Sequence, residues 1–221
     1  MATADFRRID LYGGAMTVNL PSGFADVSNI RPVPDHQEIY LSSTGFASII
    51  FDIAERVAHL PSDEEALVYH FKDIVTPGDN SKIWQISGAQ AANFAPTTPV
   101  QTLVATTAPP VGPTSAMAPT RTTILMTLVR LVSKCTDLVI TINLPYIESQ
   151  ADTSTPSGAS GPLAGPGRRE DVDFEQGRFG NWVEEGLKVR DEVHRSLEIN
   201  DWSLFVDGGN QTQKDEPMEE G

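Results

Sequence analysis

The sequence predicts an α+β fold, a mostly antiparallel sheet of about six strands covered by helices. Three observations carry that reading. Strand-like runs follow one another with short polar connections. Only two segments, near 62–75 and 179–198, carry helical periodicity. The two most apolar runs, 122–132 and 136–145, are separated only by Ser133-Lys134-Cys135, the spacing of a hairpin rather than of a β-α-β crossover.

The elements follow in chain order. A-M-T-V-N-L at 15–20 puts Met16, Val18 and Leu20 on one face and Ala15, Thr17 and Asn19 on the other, the period of a half-buried strand. Gly13-Gly14 marks its entry and Pro21-Ser22-Gly23 its exit. Q-E-I-Y-L-S-S at 37–43 reads as a second strand. The run 47–57 fits two patterns: Ile50, Ile53 and Val57 make a helical stripe, while Ile49, Ile50 and Phe51 favour strand for its first half. A helix then starts at Ser62, with Glu65 three residues on as a capping box and Asp63 and Glu64 at the positive end of the dipole. Leu67, Phe71 and Ile74 give its inward face, and Pro77-Gly78 ends it.

Strands are expected at 82–88 and 99–107, followed by the central hairpin, whose arms are apolar at nearly every position and so need cover on both faces. The last long element is an amphipathic helix. Phe179, Trp182, Val183, Gly186, Val189, Val193 and Leu197 form its apolar stripe, and Asn181 with Glu184 reads as its N-cap signature. W-S-L-F-V at 202–206 reads as an edge strand or a docked end.

At 221 residues the chain suits one sizeable core, taken here as a single domain over 1–207. Flexible loops are expected at 108–120, with four prolines in thirteen residues, and at 151–173, which opens A-D-T-S-T-P-S-G-A-S-G-P-L-A-G-P-G. Residues 208–221 read as a disordered acidic tail. Thirty acids against 16 bases give a net charge of −14, which disfavours nucleic acid and anionic lipid and favours basic partners, though solubility alone explains many acidic proteins. The single cysteine, Cys135, excludes an internal disulfide and suggests a reducing compartment. No signal-peptide core and no run of about 18–20 apolar residues is present, so a soluble intracellular protein without membrane insertion is expected.

No catalytic constellation emerges. His36, His59, His70 and His194 are scattered, with no second ligand type at metal spacing. H-E-x-x-H, the P-loop, G-x-G-x-x-G and G-x-S-x-G are all absent. Cys135 has no neighbour to lower its pKa and reads as incidental. No cofactor, metal or catalytic residue is assigned.

One stretch stands out: R-P-V-P-D-H-Q-E at 31–38. Pro32 and Pro34 fix their own φ and push Arg31 and Val33 toward extended geometry, so the segment is stiff before it meets anything. If 34–37 turn, Asp35 and Glu38 face the same way, toward one basic partner, at little ordering cost. A Pro-Asp turn opening a strand, with two solvated acids, accounts for the same residues. A paired-carboxylate hydrolase would require one acid in an apolar, concave pocket.

The stretch L-Y-G-G-A-M-T-V-N-L-P-S-G-F-A-D-V-S-N-I-R-P-V-P-D-H-Q-E-I-Y at 11–40 resembles the start of the Ran guanine-nucleotide release factors, the Mog family. Their pattern is an aromatic-Gly-Gly-Ala strand, Pro-x-Gly, Asp-x-Ser, then Arg-x-Val-Pro-Asp-x-Gln-Glu before Val or Ile and an aromatic. Y-H-F-K-D at 69–73, T-D-L-V-I-T-I-N-L-P at 136–145 and S-L-F-V-D-G-G-N at 203–210 resemble further family segments. The 151–167 run has no matching counterpart, and 108–120 looks like a local insertion. The resemblance implies a PsbP-like α/β/α sandwich. It also implies a protein of nucleus and cytoplasm that binds the GTPase Ran, promotes release of its guanine nucleotide and supports nuclear import; a monomer is expected, though the sequence itself does not set the oligomeric state. Such a protein is a GTPase regulator without catalytic chemistry of its own. By the same resemblance Asp35 and Glu38 bind Ran, Arg31, Pro34 and Gln37 support them, and Asp26 shares the surface. His36 falls on a variable position. An adaptor that binds another basic partner without exchange activity is the alternative.

Overall fold

In a computed structural model, the structure describes residues 5–27, 30, 32–110, 118–147 and 172–205. Arg31, most of the two loops (111–117 and 151–171) and the 208–221 tail lie outside the described residues.

The chain enters as β1 (Phe6–Leu11), turns through Tyr12–Gly14 into β2 (Met16–Pro21), and continues as β3 (Phe24–Asp26), β4 (Gln37–Ser42) and β5 (Ser48–Glu55). Helix α1 (Asp63–Ile74) follows, then β6 (Asn80–Gly88), β7 (Val100–Ala108), β8 (Arg121–Leu131) and β9 (Thr136–Tyr146). A long helix, α2 (Gly180–Ser196), precedes the short β10 (Glu198–Ile199) and the 3-10 turn Trp202–Leu204.

Seven strands form one sheet in the order β3-β4-β5-β9-β8-β7-β6, and β1-β2-β10 form a second. Every pairing between these strands is antiparallel. The expected hairpin is central, with β8 and β9 in register from Leu131↔Thr136 to Arg121↔Tyr146. Both of its faces are buried, as its continuous apolar sequence requires. Cys135 sits exposed in its turn with φ 46°. Residues 48–55 are strand throughout, so the helical stripe through Ile50 and Ile53 is not used. The 15–20 strand belongs to the smaller sheet. Its partner β1 (F-R-R-I-D-L) was not expected, because two adjacent arginines break the alternation.

One face of the large sheet packs against α1 through Leu67, Phe71, Leu103, Met126 and Leu128. The other packs against α2 and the small sheet through a larger cluster that includes Leu20, Phe51, Leu125, Leu144, Trp182 and Val189. The α2 stripe is buried as its periodicity demands. Gly186 lets the helix approach: a Cβ there would lie 2.6 Å from Leu144 Cδ1 and 3.0 Å from Leu125 Cδ1. The expected Asn181 cap is not used. The helix begins at Gly180 behind Phe179, two residues earlier than a cap at Asn181 would start it. Its C-terminus is closed by the 89–99 loop, where the Ala92 amide donates to the His194 carbonyl at 2.8 Å and Asn93 Nδ2 donates to the Leu197 carbonyl at 3.1 Å.

Ser62 caps α1 as expected, its hydroxyl accepting from the Glu65 amide at 3.1 Å. Its inward face is Ala66, Leu67, His70 and Phe71, whereas Ile74 at the frayed end is exposed. His70 belongs to a buried polar network. Asp137 accepts from Arg130 Nε (3.1 Å) and the Val57 amide (3.0 Å), and pairs with His70 Nε2 at 3.0 Å. Arg130 also reaches Asp63 Oδ1 at 2.6 Å and the Val57 carbonyl at 2.5 Å, tying the first turn of α1 to the sheet. Burial pushes the Asp137 carboxyl up, but the bonds from His70, Val57 and Arg130 outweigh it and hold the group below the usual carboxylate range. Of the 202–206 segment, the described residues 202–205 take the docked alternative, with Phe205 buried behind the 3-10 turn.

Candidate functional site

At the open edge of the large sheet the proline-braced segment meets β4. The Gln37 amide donates to the Pro34 carbonyl at 2.8 Å, closing a turn with Asp35 and His36 at its tip. Asp35 and Pro34 are exposed. Among the described residues no hydrogen bond or ion pair engages Asp35.

Strand alternation then separates the next two side chains. Gln37 reaches toward the neighbouring strand β5 and donates from Nε2 to Asp52 Oδ2 at 2.8 Å. Glu38 points the same way as Tyr40, two residues on, and accepts from the Tyr40 hydroxyl at 2.8 Å through Oε2. Its other oxygen, Oε1, accepts from the Tyr12 backbone amide. Both carboxylate oxygens are thus engaged from within the fold, and Glu38 is half-buried.

Tyr12 opens the turn between β1 and β2, where Tyr12, Gly13 and Gly14 take φ of 49°, 66° and 94°. The two glycines adopt these values freely, but a tyrosine in the left-handed region costs of order 1 kcal/mol or more. The Glu38 bond to its amide offsets that strain, and so does its hydroxyl, which donates to the carbonyls of His36 and Phe51, each at 3.0 Å. Burial first, and then the nearby Glu38 charge, raise the Tyr12 phenol well above its ordinary value. Burial, and then the hydrogen bond to Glu38, do the same for Tyr40. Both remain protonated donors at physiological pH.

An open groove of about 240 Å³ lies over this arrangement. Asp26, Pro34, Asp35, Gln37 and Glu38 line it together with Tyr12, so five of the six residues singled out in the sequence converge on one surface feature. The sixth, Arg31, lies outside the described residues. Three carboxylates and a stiff backbone suit a cationic side chain. They do not suit paired-carboxylate hydrolysis, which needs one acid in an apolar concavity, because Asp35 is exposed and Glu38 is surrounded by donors.

The family model described as "Ran-interacting Mog1 protein" matches residues 9–145. The chain belongs to this Mog1 family. It is 34% identical over 161 residues to the nuclear import protein MOG1 of Saccharomyces cerevisiae, a match covering 67% of this chain and 71% of that protein. It is 47% identical over 64 residues to the Ran guanine nucleotide release factor of Bos taurus, but this match spans only 29% of this chain and 34% of the bovine protein. The crystal structure of the Saccharomyces cerevisiae Ran-binding protein Mog1p shares the fold, with a TM-score of 0.65 at 26% identity over 92% of this chain and all of that one.

The Mog1-family match contains Asp26, Arg31, Pro34, Asp35, Gln37 and Glu38, and it also contains residues that sequence reasoning passed over. In the sequence Tyr12 and Tyr40 stand out only as the aromatics of the 11–40 family pattern, and Asp52 only as a strand position. The phase of the β4 alternation carried a signal: a buried Tyr40 places Glu38 on the inward side.

Proposed function

We propose that this Mog1-family chain binds the small GTPase Ran, promotes release of its guanine nucleotide and thereby supports nuclear protein import. The observation that carries the reading is Asp35, an exposed acid at the tip of a proline-braced turn, in a chain whose family is described as Ran-interacting. The names of its relatives, Ran guanine nucleotide release factor and nuclear import protein, point the same way.

A release factor works by preferring the empty GTPase to the loaded one. Each tenfold preference lowers nucleotide affinity by ~1.4 kcal/mol. A charge-assisted contact from Asp35 to a basic group that otherwise serves the phosphates or switch loops is worth about 1.5–3 kcal/mol and supplies a useful share. The chain then acts as a monomeric regulator in nucleus and cytoplasm, without a cofactor and without bond chemistry of its own.

The test is release of fluorescent nucleotide from loaded Ran. The wild-type chain should accelerate it, and Asp35→Lys should not. Equal rates for the two chains remove Asp35 from the site. No acceleration by the wild type removes the activity, and binding without acceleration leaves an adaptor.

A further inference from the structure

We infer that Tyr12, Glu38 and Tyr40 form a clasp that holds the acidic turn in shape, and that of the two acids Asp35 and Glu38 it is Asp35 that meets the partner. The inference rests on the Ran-binding reading above and assigns different roles to two carboxylates that the sequence presents as a pair.

The geometry separates them. Glu38 spends Oε1 on the Tyr12 amide and Oε2 on the Tyr40 hydroxyl, so a cation docking on it competes with two existing donors. Among the described residues Asp35 faces no such competition. Tyr12 closes the clasp from its far end: its hydroxyl reaches the carbonyl of His36, inside the turn, and that of Phe51 on the neighbouring strand. One tyrosine therefore grips the turn twice, through its amide on Glu38 and through its hydroxyl on the His36 backbone. Tyr40 is 4% exposed, and its hydroxyl reaches the turn through its bond to Glu38. Tyr12, Glu38 and Tyr40 are positioning residues. They fix where the Asp35 carboxylate stands, and a displacement of the turn spoils a charge-assisted contact whose strength depends on geometry.

The experiment compares Asp35→Asn, Glu38→Gln, Tyr12→Phe and Tyr40→Phe in binding to nucleotide-free Ran over a range of salt concentrations. An exposed contact acid steers encounter, so Asp35→Asn should lower the association rate and flatten its salt dependence. Tyr12→Phe and Tyr40→Phe keep every charge. They should weaken binding about three- to tenfold through faster dissociation, with the association rate and its salt slope unchanged. Glu38→Gln should weaken binding less in the Tyr40→Phe background than alone, because the two act through one contact. The inference is overturned if Glu38→Gln slows association and flattens the salt slope as Asp35→Asn does while Tyr40→Phe binds like wild type. Failure of the wild type to bind Ran sinks the functional reading instead. The clasp then still faces a partner-free measurement: hydrogen exchange at the Gln37 amide should quicken in Tyr12→Phe and Tyr40→Phe but not in Asp35→Asn, and equal exchange in all of them overturns it.

Discussion

Asp137 and Asp35 are the same side chain put to opposite uses. Asp137 is 0% exposed and is surrounded by Arg130, His70 and the Val57 amide, on the α1 face of the sheet. Asp35 stands in solvent on a turn at the sheet edge. Glu38 lies between these limits, half-buried and engaged at both oxygens by the fold's own donors. A carboxylate whose bonds are filled from within can hold a fold together, but it has little left for a partner. An acid left unfilled contributes little to stability and keeps its full charge for recognition. A net charge of −14 therefore says little about where binding occurs; the local donor count around each acid says more.

The comparison is tested most severely at the buried end. Asp137→Ala leaves Arg130, itself 2% exposed, with Asp63 as its only remaining acid among the described residues, and removes the group that His70 and the Val57 amide engage. Breaking a buried pair from one side costs about 3–5 kcal/mol. Urea unfolding should show a loss of that size, while the folded fraction retains the Ran binding proposed above. A loss below about 1 kcal/mol would mean that apolar packing, not this network, fastens α1 to the sheet.

A smaller effect tests burial from the opposite face. His194 on α2 lies with Nε2 2.9 Å from Thr127 Oγ1, and burial followed by the Arg190 charge push its pKa down from 6.5 to about 4. A histidine held neutral in the fold but free to charge in the unfolded chain costs nothing above its ordinary pKa. Stability is lost as pH falls through 6.5 toward 4, by an amount on the order of 1–2 kcal/mol at pH 5. Asp137, whose carboxyl is held low, contributes stability that is present above the ordinary carboxylate value of 3.8 and is lost only below it, so the two windows do not overlap. His194→Gln should flatten the profile between pH 6.5 and 4.5. An unchanged slope would assign it to other groups.

These two regions were not equally legible in the sequence. The helix start at Ser62, the α2 stripe and the central hairpin declared themselves through local chemistry: a cap, a 3.6-residue period, and a short polar gap between β-rich runs. Asp35 and Glu38 were visible because proline stiffening is a local property too. The Asp137 network was not, since it joins residues 57, 63, 70, 130 and 137 through tertiary contacts that no spacing rule encodes. The clasp was hidden for the same reason: Tyr12 and Glu38 lie 26 positions apart. The absent Asn181 cap shows the converse, a local signature overridden when packing of Phe179 and Trp182 fixes where the helix begins.

The smallest expected effect is the most telling about the exposed end. Asp35→Asn removes a charge that no group among the described residues engages, from a chain already carrying an excess of acids. The unfolding free energy should therefore stay within about 0.5 kcal/mol of wild type, with a slight gain at low salt as self-repulsion eases. The same substitution should weaken Ran binding by about 1.5–3 kcal/mol if the acid makes a charge-assisted contact. That pairing, near-zero on the fold and large on the partner, inverts what Asp137→Ala should do. A cost to stability above about 1 kcal/mol would show that the tip of the turn is fastened to the fold after all. Asp35 would then join Glu38 among the acids whose bonding is spent within the molecule.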